Sequence, residues 1–390
     1  MEMFYPLATS SWDNLEVEAI HKVIATGMYT MGKHVAKYEE EFAKFLGSNH
    51  CVMVSSGSTA NLLMVAALFY RKENPLKRGD EVIVPAVSWS TTYFPLAQYG
   101  LKLKFVDIDI ETLNYDLNAL RDAVTDNTRM IMTVNLLGNP NNFTEIKNII
   151  GERKIELVED NCESLGATFE GKQTGTFGSM GTYSSFFSHH ISTMEGGIVT
   201  TDDEELYHIL LCLRAHGWTR NLPKINKVTG IKSDNAFEES FKFVLPGYNV
   251  RPLEMSGAIG LEQIKKLQNF VDVRRENAFV FQELFSNHPD LYIQKEIGKS
   301  SWFGFSFVIR PESTVKRISL IEHLTKAGVE CRPIVAGNFA KNEALKWFDF
   351  EIHGGLPNAE RIDQHGFFVG NHQVPMKAQI ERLRAEFDKG

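Results

Sequence analysis

Two adjacent histidines, His189 and His190, stand in the hydroxyl-rich segment SSFFSHHISTMEGG that begins at Ser184. Imidazole is the side chain that exchanges protons nearest neutral pH, so the pair is a candidate base or acid. A solvated or structural histidine pair is the plain alternative. If the segment runs extended, neighbouring side chains point to opposite faces and one of the two meets a ligand. Three further segments could hold one. CVMVSSGSTANLL places a short strand before Ser55-Ser56-Gly57-Ser58-Thr59 and a helix beginning near Ala60. Free N–H groups and the positive end of the helix dipole suit an anion there, and Gly57 lets it approach the backbone; a simple helix cap is the alternative. IELVEDNCESLGA puts Asp160 at the carboxyl end of a predicted strand, where ligands of open α/β sheets bind, or where an aspartate caps a helix. Trp89, in IVPAVSWSTTYF, follows another strand end, where a flat aromatic can stack on a ring or fill a core or an interface.

These residues need a scaffold that brings strand ends together, and the hydrophobic pattern supplies one. Short apolar runs flanked by Gly, Pro or Asp occur at 50–55, 81–85, 102–106, 130–135, 155–159, 181–186 and 197–200, the pattern of strands buried on both faces. Amphipathic stretches such as 61–70 and 117–123 lie between them. A mostly parallel seven-stranded sheet between helices follows, in an α/β large domain spanning 1–245. The Gly-Pro-rich stretch LPGYNVRPLE marks the boundary to a smaller α+β domain, 246–390. There, 254–267 and 271–284 read as long helices and 302–309 and 328–332 as strands. The polar stretch 221–239 reads as a long loop.

Composition narrows the function. With 390 residues, 43% hydrophobic and 23% charged, the chain has the profile of a soluble globular protein able to bury a large core. The net charge of -8, without a basic run, argues against nucleic acid and anionic membrane as partners. The four cysteines lack metal or cluster spacing, so neither a metal site nor an iron–sulfur cluster is expected. Neither a signal segment nor a long apolar span is legible, and a cytoplasmic location is expected.

TMG at Thr30, SSGSTAN at Ser55, VPAVSWSTT at Val84, EDNCES at Glu159, SSFFSHHISTMEGG at Ser184, RAHGW at Arg214 and GYNVRPLEMSGAIGLEQ at Gly247 occur in one order across nearly the whole chain. Together they resemble the DegT/DnrJ/EryC1/StrS family of nucleotide-sugar aminotransferases and dehydratases, which have the fold-type I aminotransferase-like architecture and use pyridoxal phosphate. In that family the residue six before the Glu of the EGG turn is a lysine that forms a Schiff base with the cofactor. Here it is His189, counted back from Glu195. Imidazole cannot form an imine, and the change resembles the sugar 3-dehydratase subgroup.

The resemblance implies roles. Gly57 and Ser58 would meet the cofactor phosphate through the backbone and Ser184 through its hydroxyl; Asn249 would reach the same phosphate from a partner subunit, making the enzyme a homodimer with a shared site. Asp160 would pair with the ring nitrogen, Trp89 would stack, and Glu163 would lie near the ring hydroxyl, where relatives often carry Gln or His. The cofactor, pyridoxal or pyridoxamine phosphate, would be held without a covalent bond. The implied reaction removes the C3 hydroxyl of a GDP-bound 4-keto-6-deoxy sugar, with His189 as base, release of ammonia, and glutamate restoring the amine form. It belongs to dideoxysugar (colitose) synthesis for lipopolysaccharide O-antigen. Arg251 and Arg332 are candidates for a carboxylate or diphosphate, or else salt-bridge partners, because guanidinium grips such groups bidentately. His216 would line the sugar pocket or pack beside Trp218. Three alternatives stay open: a sugar aminotransferase, a CDP-sugar 3-dehydrase, which uses an iron–sulfur cluster, and a silent cofactor-binding protein.

Overall fold

The computed structural model describes residues 3–389. Its strands, in chain order, are β1 (His50–Val54), β2 (Glu81–Pro85), β3 (Lys102–Val106), β4 (Thr128–Val134), β5 (Glu156–Asp160), β6 (Met180–Ser184), β7 (Gly197–Thr201), β8 (Leu291–Ile293), β9 (Gly304–Ile309), β10 (Asp349–Ile352) and β11 (Gly366–Gly370), beside two hairpins of two-residue strands that play no part in the main sheet. The main sheet runs β1-β7-β6-β5-β4-β2-β3-β10. All its strands are parallel except β7, which is antiparallel to both neighbours. β2, β6 and β7 are buried along their whole length, as strands covered on both faces must be.

The seven strands read from the sequence are present, but the sheet has eight. β10 comes from beyond residue 246 and pairs with β3 in parallel. Its residues alternate charged and apolar, and Glu351 forms ion pairs with Lys102 and Lys104 of β3. An edge strand of this kind carries a weaker apolar signal than a central one. The small sheet is β8-β9-β11, antiparallel throughout. The strand expected at 328–332 is reduced to two bridges, Val329 with Tyr5 and Arg332 with Phe368. Gly328 ends the preceding helix in the left-handed conformation at φ 94°, and its carbonyl accepts from the N–H of Phe4 and Tyr5. The N-terminal segment thus takes the pairing that the sheet would have needed.

One 32-residue helix, Glu254–Phe285, replaces the two expected. The polar residues Gln268 and Asn269 in the expected gap lie on its exposed side, where Gln268 bonds Asp272 one turn on, and neither Gly nor Pro stands at 268–270. The stretch 221–239 carries a small hairpin, Ile225–Asn226 with Gly230–Ile231, and a short helix, Ala236–Glu239. Asn226 closes the hairpin by accepting from the N–H of Val228 and Thr229. Among the described residues no helix is long and apolar enough to cross a membrane.

Two of the hydrophobic cores hold most of these parts. The helix Gly57–Tyr70 is buried on most sides and packs against the main sheet, with Leu63, Val65 and Leu68 wholly inside. A second core is aromatic: Phe281 of the long helix stacks on Phe305 of β9 at 4.2 Å and meets Phe285, Phe307 and Trp302. Phe281→Ala is expected to lower stability by about 3–5 kcal/mol, since a large cavity opens in a rigid ring cluster. The urea midpoint of purified protein, at unchanged slope, measures it.

Candidate active site

The site gathers at the carboxyl ends of the parallel strands, where the chain leaves β1, β2, β4, β5 and β6. A cavity of about 510 Å³ is lined there by Gly57, Ser58, Trp89, Asp160, Glu163, Ser184, His189 and Arg332, among others. Eight of the expected residues therefore share one cavity, although they come from positions 57 to 332 of the chain.

At its polar end the helix Gly57–Tyr70 begins. Ser56 caps it by accepting from Thr59 N–H, while the N–H groups of Gly57 and Ser58, as its first two residues, have no acceptor within the helix. Gly57 lies against β6: a Cβ there would come within 2.7 Å of Ser184 Cβ and 2.9 Å of Cys162 Sγ. The floor is thus closed to any side chain at position 57, and the Ser184 hydroxyl stands beside the free amides. This is the donor set of an anion site.

Asp160 occupies the floor. Its Oδ2 accepts from Asn61 Nδ2 and Thr92 Oγ1, both at 2.8 Å, and its Oδ1 from Cys162 N–H at 3.1 Å. No helix follows it, so the capping alternative falls. Trp89 is not a core residue either, since it is 58% exposed and stands on the cavity wall at the start of the helix Ser90–Gln98. Glu163 faces the cavity, with Oε2 accepting from Leu137 N–H at 3.0 Å. Burial raises its carboxyl to about 7; the Leu137 bond works the other way, and the negative charge of Asp160 adds to the rise.

The histidines separate. The segment is a turn rather than an extended run, with His189 N–H bonded to Phe186 O at 2.9 Å. His189 lines the cavity and its Nδ1 has no hydrogen-bond partner among the described residues. His190 turns away, 1% exposed, with Nε2 3.1 Å from the carbonyl of Ser301. Burial first, then the positive charge of Arg274, pushes His189 down to about 4, so at neutral pH it is an uncharged imidazole.

Three expected residues, His216, Asn249 and Arg251, lie outside the cavity. His216 adopts a left-handed conformation, fixed by its N–H bond to Tyr248 O at 2.6 Å, and its ring packs on Trp218 at 4.9 Å, the plainer of the two readings. Asn249 is exposed, and its Oδ1 accepts from Arg251 Nε at 2.9 Å. Arg332 is at the mouth and pairs with Glu330. Sequence reasoning missed Asn61, Thr92 and Phe303. Asn61 had a signal: it is a polar residue inside an almost wholly apolar helix, and it links Asp160 to Thr182, whose hydroxyl donates to Asn61 Oδ1 at 2.6 Å.

A family model for the DegT/DnrJ/EryC1/StrS aminotransferase family matches residues 11–385. The chain belongs to this family. Over 381 residues it is 66% identical to the GDP-4-keto-6-deoxy-D-mannose 3-dehydratase of Escherichia coli O55:H7, covering 97% of this chain and 98% of that one. Two solved structures are similar throughout. The E. coli GDP-4-keto-6-deoxy-D-mannose-3-dehydratase with bound hydrated PLP superposes with a TM-score of 0.98 at 65% identity, over 99% of this chain and 100% of that one. A GDP-4-keto-6-deoxymannose-3-dehydratase with a trapped PLP-glutamate geminal diamine does so with a TM-score of 0.97 at 65% identity, over 98% and 99%. The cofactor is pyridoxal phosphate or its amine form, and the closed floor at Gly57, the paired donors around Asp160 and the free amides fit its phosphate and ring nitrogen.

The raised Glu163 gives a test on the cofactor-free protein. In the folded state this carboxyl keeps its proton to higher pH than in the unfolded chain. The folded state therefore binds the extra proton between the ordinary value of 4.5 and about 7, and the stability this confers is lost as pH rises through that window. Glu163→Gln removes the titration, so its melting temperature should approach or match the parent at pH 5 and exceed it at pH 8. Scanning calorimetry at both values checks the sign.

Proposed function

We propose that the protein is a 3-dehydratase that converts GDP-4-keto-6-deoxy-D-mannose to GDP-4-keto-3,6-dideoxy-D-mannose, with glutamate as co-substrate and ammonia as co-product. The observation that carries the reading is that His189 stands in the cavity and no lysine lines it among the described residues. A transaminase needs that lysine to hold its cofactor and to return the proton. Here the base is kept and the tether is gone.

When bound, pyridoxamine phosphate supplies an amine for the C4 carbonyl of the sugar and an electron sink for charge that develops next to it. The amides of Gly57 and Ser58 and the hydroxyl of Ser184 hold the phosphate. Asp160, fixed by Asn61 and Thr92, keeps a proton on the ring nitrogen. Trp89 covers one ring face, a larger share of retention than it would carry beside a covalent bond. Glu163 sits at the ring hydroxyl. His189 takes the proton from C4′ and delivers it to the departing C3 oxygen, which leaves as water. The accounts balance with one 2-oxoglutarate and one ammonia for each sugar that loses its C3 oxygen.

Asn249, exposed and outside its own cavity, completes the phosphate site of a second copy in a homodimer. Exposed apolar side chains favour such a contact: Phe187, Met194, Leu253, Phe241 and Phe237, the last 88% exposed. Arg251 and Arg332 remain available for the glutamate carboxylate or the diphosphate.

Purified protein with pyridoxal phosphate, glutamate and the GDP-4-keto-6-deoxy sugar should release ammonia in step with sugar consumed, and the corresponding CDP and dTDP sugars should react more slowly. His189→Asn should abolish release while leaving the cofactor absorbance of the protein in place. Borohydride should fix no cofactor to the parent protein. Fixation, or an amino sugar in place of ammonia, would mean an aminotransferase; silence in all assays would mean a binding protein.

A further inference from the structure

Arg274, on the long helix Glu254–Phe285, is only 3% exposed. No carboxylate pairs with it among the described residues. Its Nη1 donates to the carbonyls of Asn371 at 2.5 Å, Phe303 at 3.1 Å and Trp302 at 3.5 Å, and its Nε has no partner among the described residues. A buried charge without a counter-ion is costly to fold around. Such a group needs a reason beyond packing.

Two of the three carbonyls it grips, those of Trp302 and Phe303, belong to a strap that stands directly behind the cavity; the third, of Asn371, follows β11. Trp302 is in the left-handed region at φ 48°, and the strap is tied to residues 137–138 by Ser301 N–H to Gly138 O and Phe303 N–H to Leu137 O, both 3.0 Å. Gly138 cannot carry a side chain, because a Cβ would come within 2.6 Å of Trp302 N. From the strap two lines run forward. The Phe303 ring packs on His189 at 5.2 Å and on His190 at 5.8 Å, and Ser301 O receives His190. Leu137, whose carbonyl takes Phe303 N–H, gives its own N–H to Glu163.

The charge acts in the same direction as the geometry. His189 and His190 on the loop after β6, and His372 after β11, all feel Arg274; Arg275, the next residue of the helix, adds to the field at His190, and no carboxylate among the described residues counters it at any of the three. Burial is the larger cause at each, with Arg274 next.

We propose that Arg274 is a positioning residue for this site: it fixes the 301–303 strap on which His189 and Glu163 are set. Its unneutralised charge adds to burial, the larger cause, in holding the His189 imidazole in the neutral, proton-accepting form. Arg274 touches neither substrate nor cofactor in this role. The inference takes the use of the base from the dehydratase reading, whereas the placement and charge state of His189 are measurable without turnover.

Histidine-labelled protein is titrated by NMR, with the His189 signal assigned by its loss in His189→Asn. In the parent His189 should stay neutral throughout pH 5.5–8, roughly a unit or more below the ordinary titration near 6.5. Arg274→Met should move that titration, and the acid limb of kcat, upward together, and lower kcat at neutral pH by about 100-fold through the loosened strap. Arg274→Lys, which keeps the charge, should restore the acid limb but only part of kcat. A parent His189 that protonates near pH 6.5, or an Arg274→Met protein with the parent titration, overturns the proposal. If Arg274→Met does not fold, the parent titration and Arg274→Lys decide it: a Lys variant with a raised acid limb counts against. Protein that shows the Arg274-dependent titration yet releases no ammonia keeps this inference and refutes the dehydratase.

Discussion

A carboxylate at the end of a buried strand must be given donors, and the organisation of this site follows from how Asp160 obtains them. Asn61 comes from the helix after β1, Thr92 from the helix after β2, and the Cys162 amide from the turn after β5 itself. Three loops at the carboxyl edge of the sheet are thereby tied to one oxygen pair. The same ties bring the N-terminus of the helix Gly57–Tyr70 against Ser184 at the end of β6, so the anion cradle is set at a fixed distance from the carboxylate. A ligand with a phosphate at one end and a basic ring nitrogen at the other is selected by that spacing. Loss of either Asn61 or Thr92 would leave a buried acceptor short of a donor, which is costlier than the bond itself.

Retention without a covalent bond places more of the work on this frame. A lysine tether would tolerate a loose cradle, because the cofactor could not leave. With His189 in that place the phosphate contacts, the ring-nitrogen pair and the Trp89 face must suffice. The sealed floor at Gly57 makes sense in those terms: the absence of a side chain lets the phosphate sit directly on unsatisfied amides. The exposed face of Trp89 is consistent with it as well, since a stacking residue has to remain uncovered until the ring arrives.

Much of this was legible in the sequence because it is local. The order of strands and helices, the Ser-Gly helix start and the position of Asp160 after an apolar run are short-range patterns, and the family motifs fixed their meaning. What escaped was set by distant pairing. β10 joins the main sheet from 243 residues beyond β3's end and carries an edge strand's mixed pattern. The third strand of the small sheet is β11 rather than 328–332, because the N-terminal segment claims the Gly328 carbonyl. The motif did not decide between the two readings of His216, since the left-handed backbone that turns its ring onto Trp218 has no signature in composition. His189, chosen by counting back from the EGG turn, lines the cavity and His190 does not; an extended segment is not what parts them, since the segment turns and the Ser301 carbonyl draws His190 inward.

The two titrating groups of the cavity carry opposite burdens that suit the reaction. Burial pushes Glu163 up towards 7 and His189 down to about 4, so at neutral pH the site holds an imidazole free of its proton and a carboxyl that readily keeps one. An imidazole held this way is a weak base, and its conjugate acid is correspondingly strong. That is a poor arrangement for storing a proton and a good one for passing it on. In a transaminase the lysine amine passes the proton taken from C4′ to the sugar carbon C4, and the sugar leaves as an amine. In the dehydratase reading proposed for this cavity, a proton taken by His189 would be under pressure to leave again, from the same low-dielectric wall and the same Arg274 charge that favour the neutral ring, and the C3 hydroxyl would be the group whose departure consumes it. In that reading the replacement of lysine by histidine needs its surroundings to have effect: the imidazole removes the tether, while the buried strap and the guanidinium behind it would set the direction in which the proton moves.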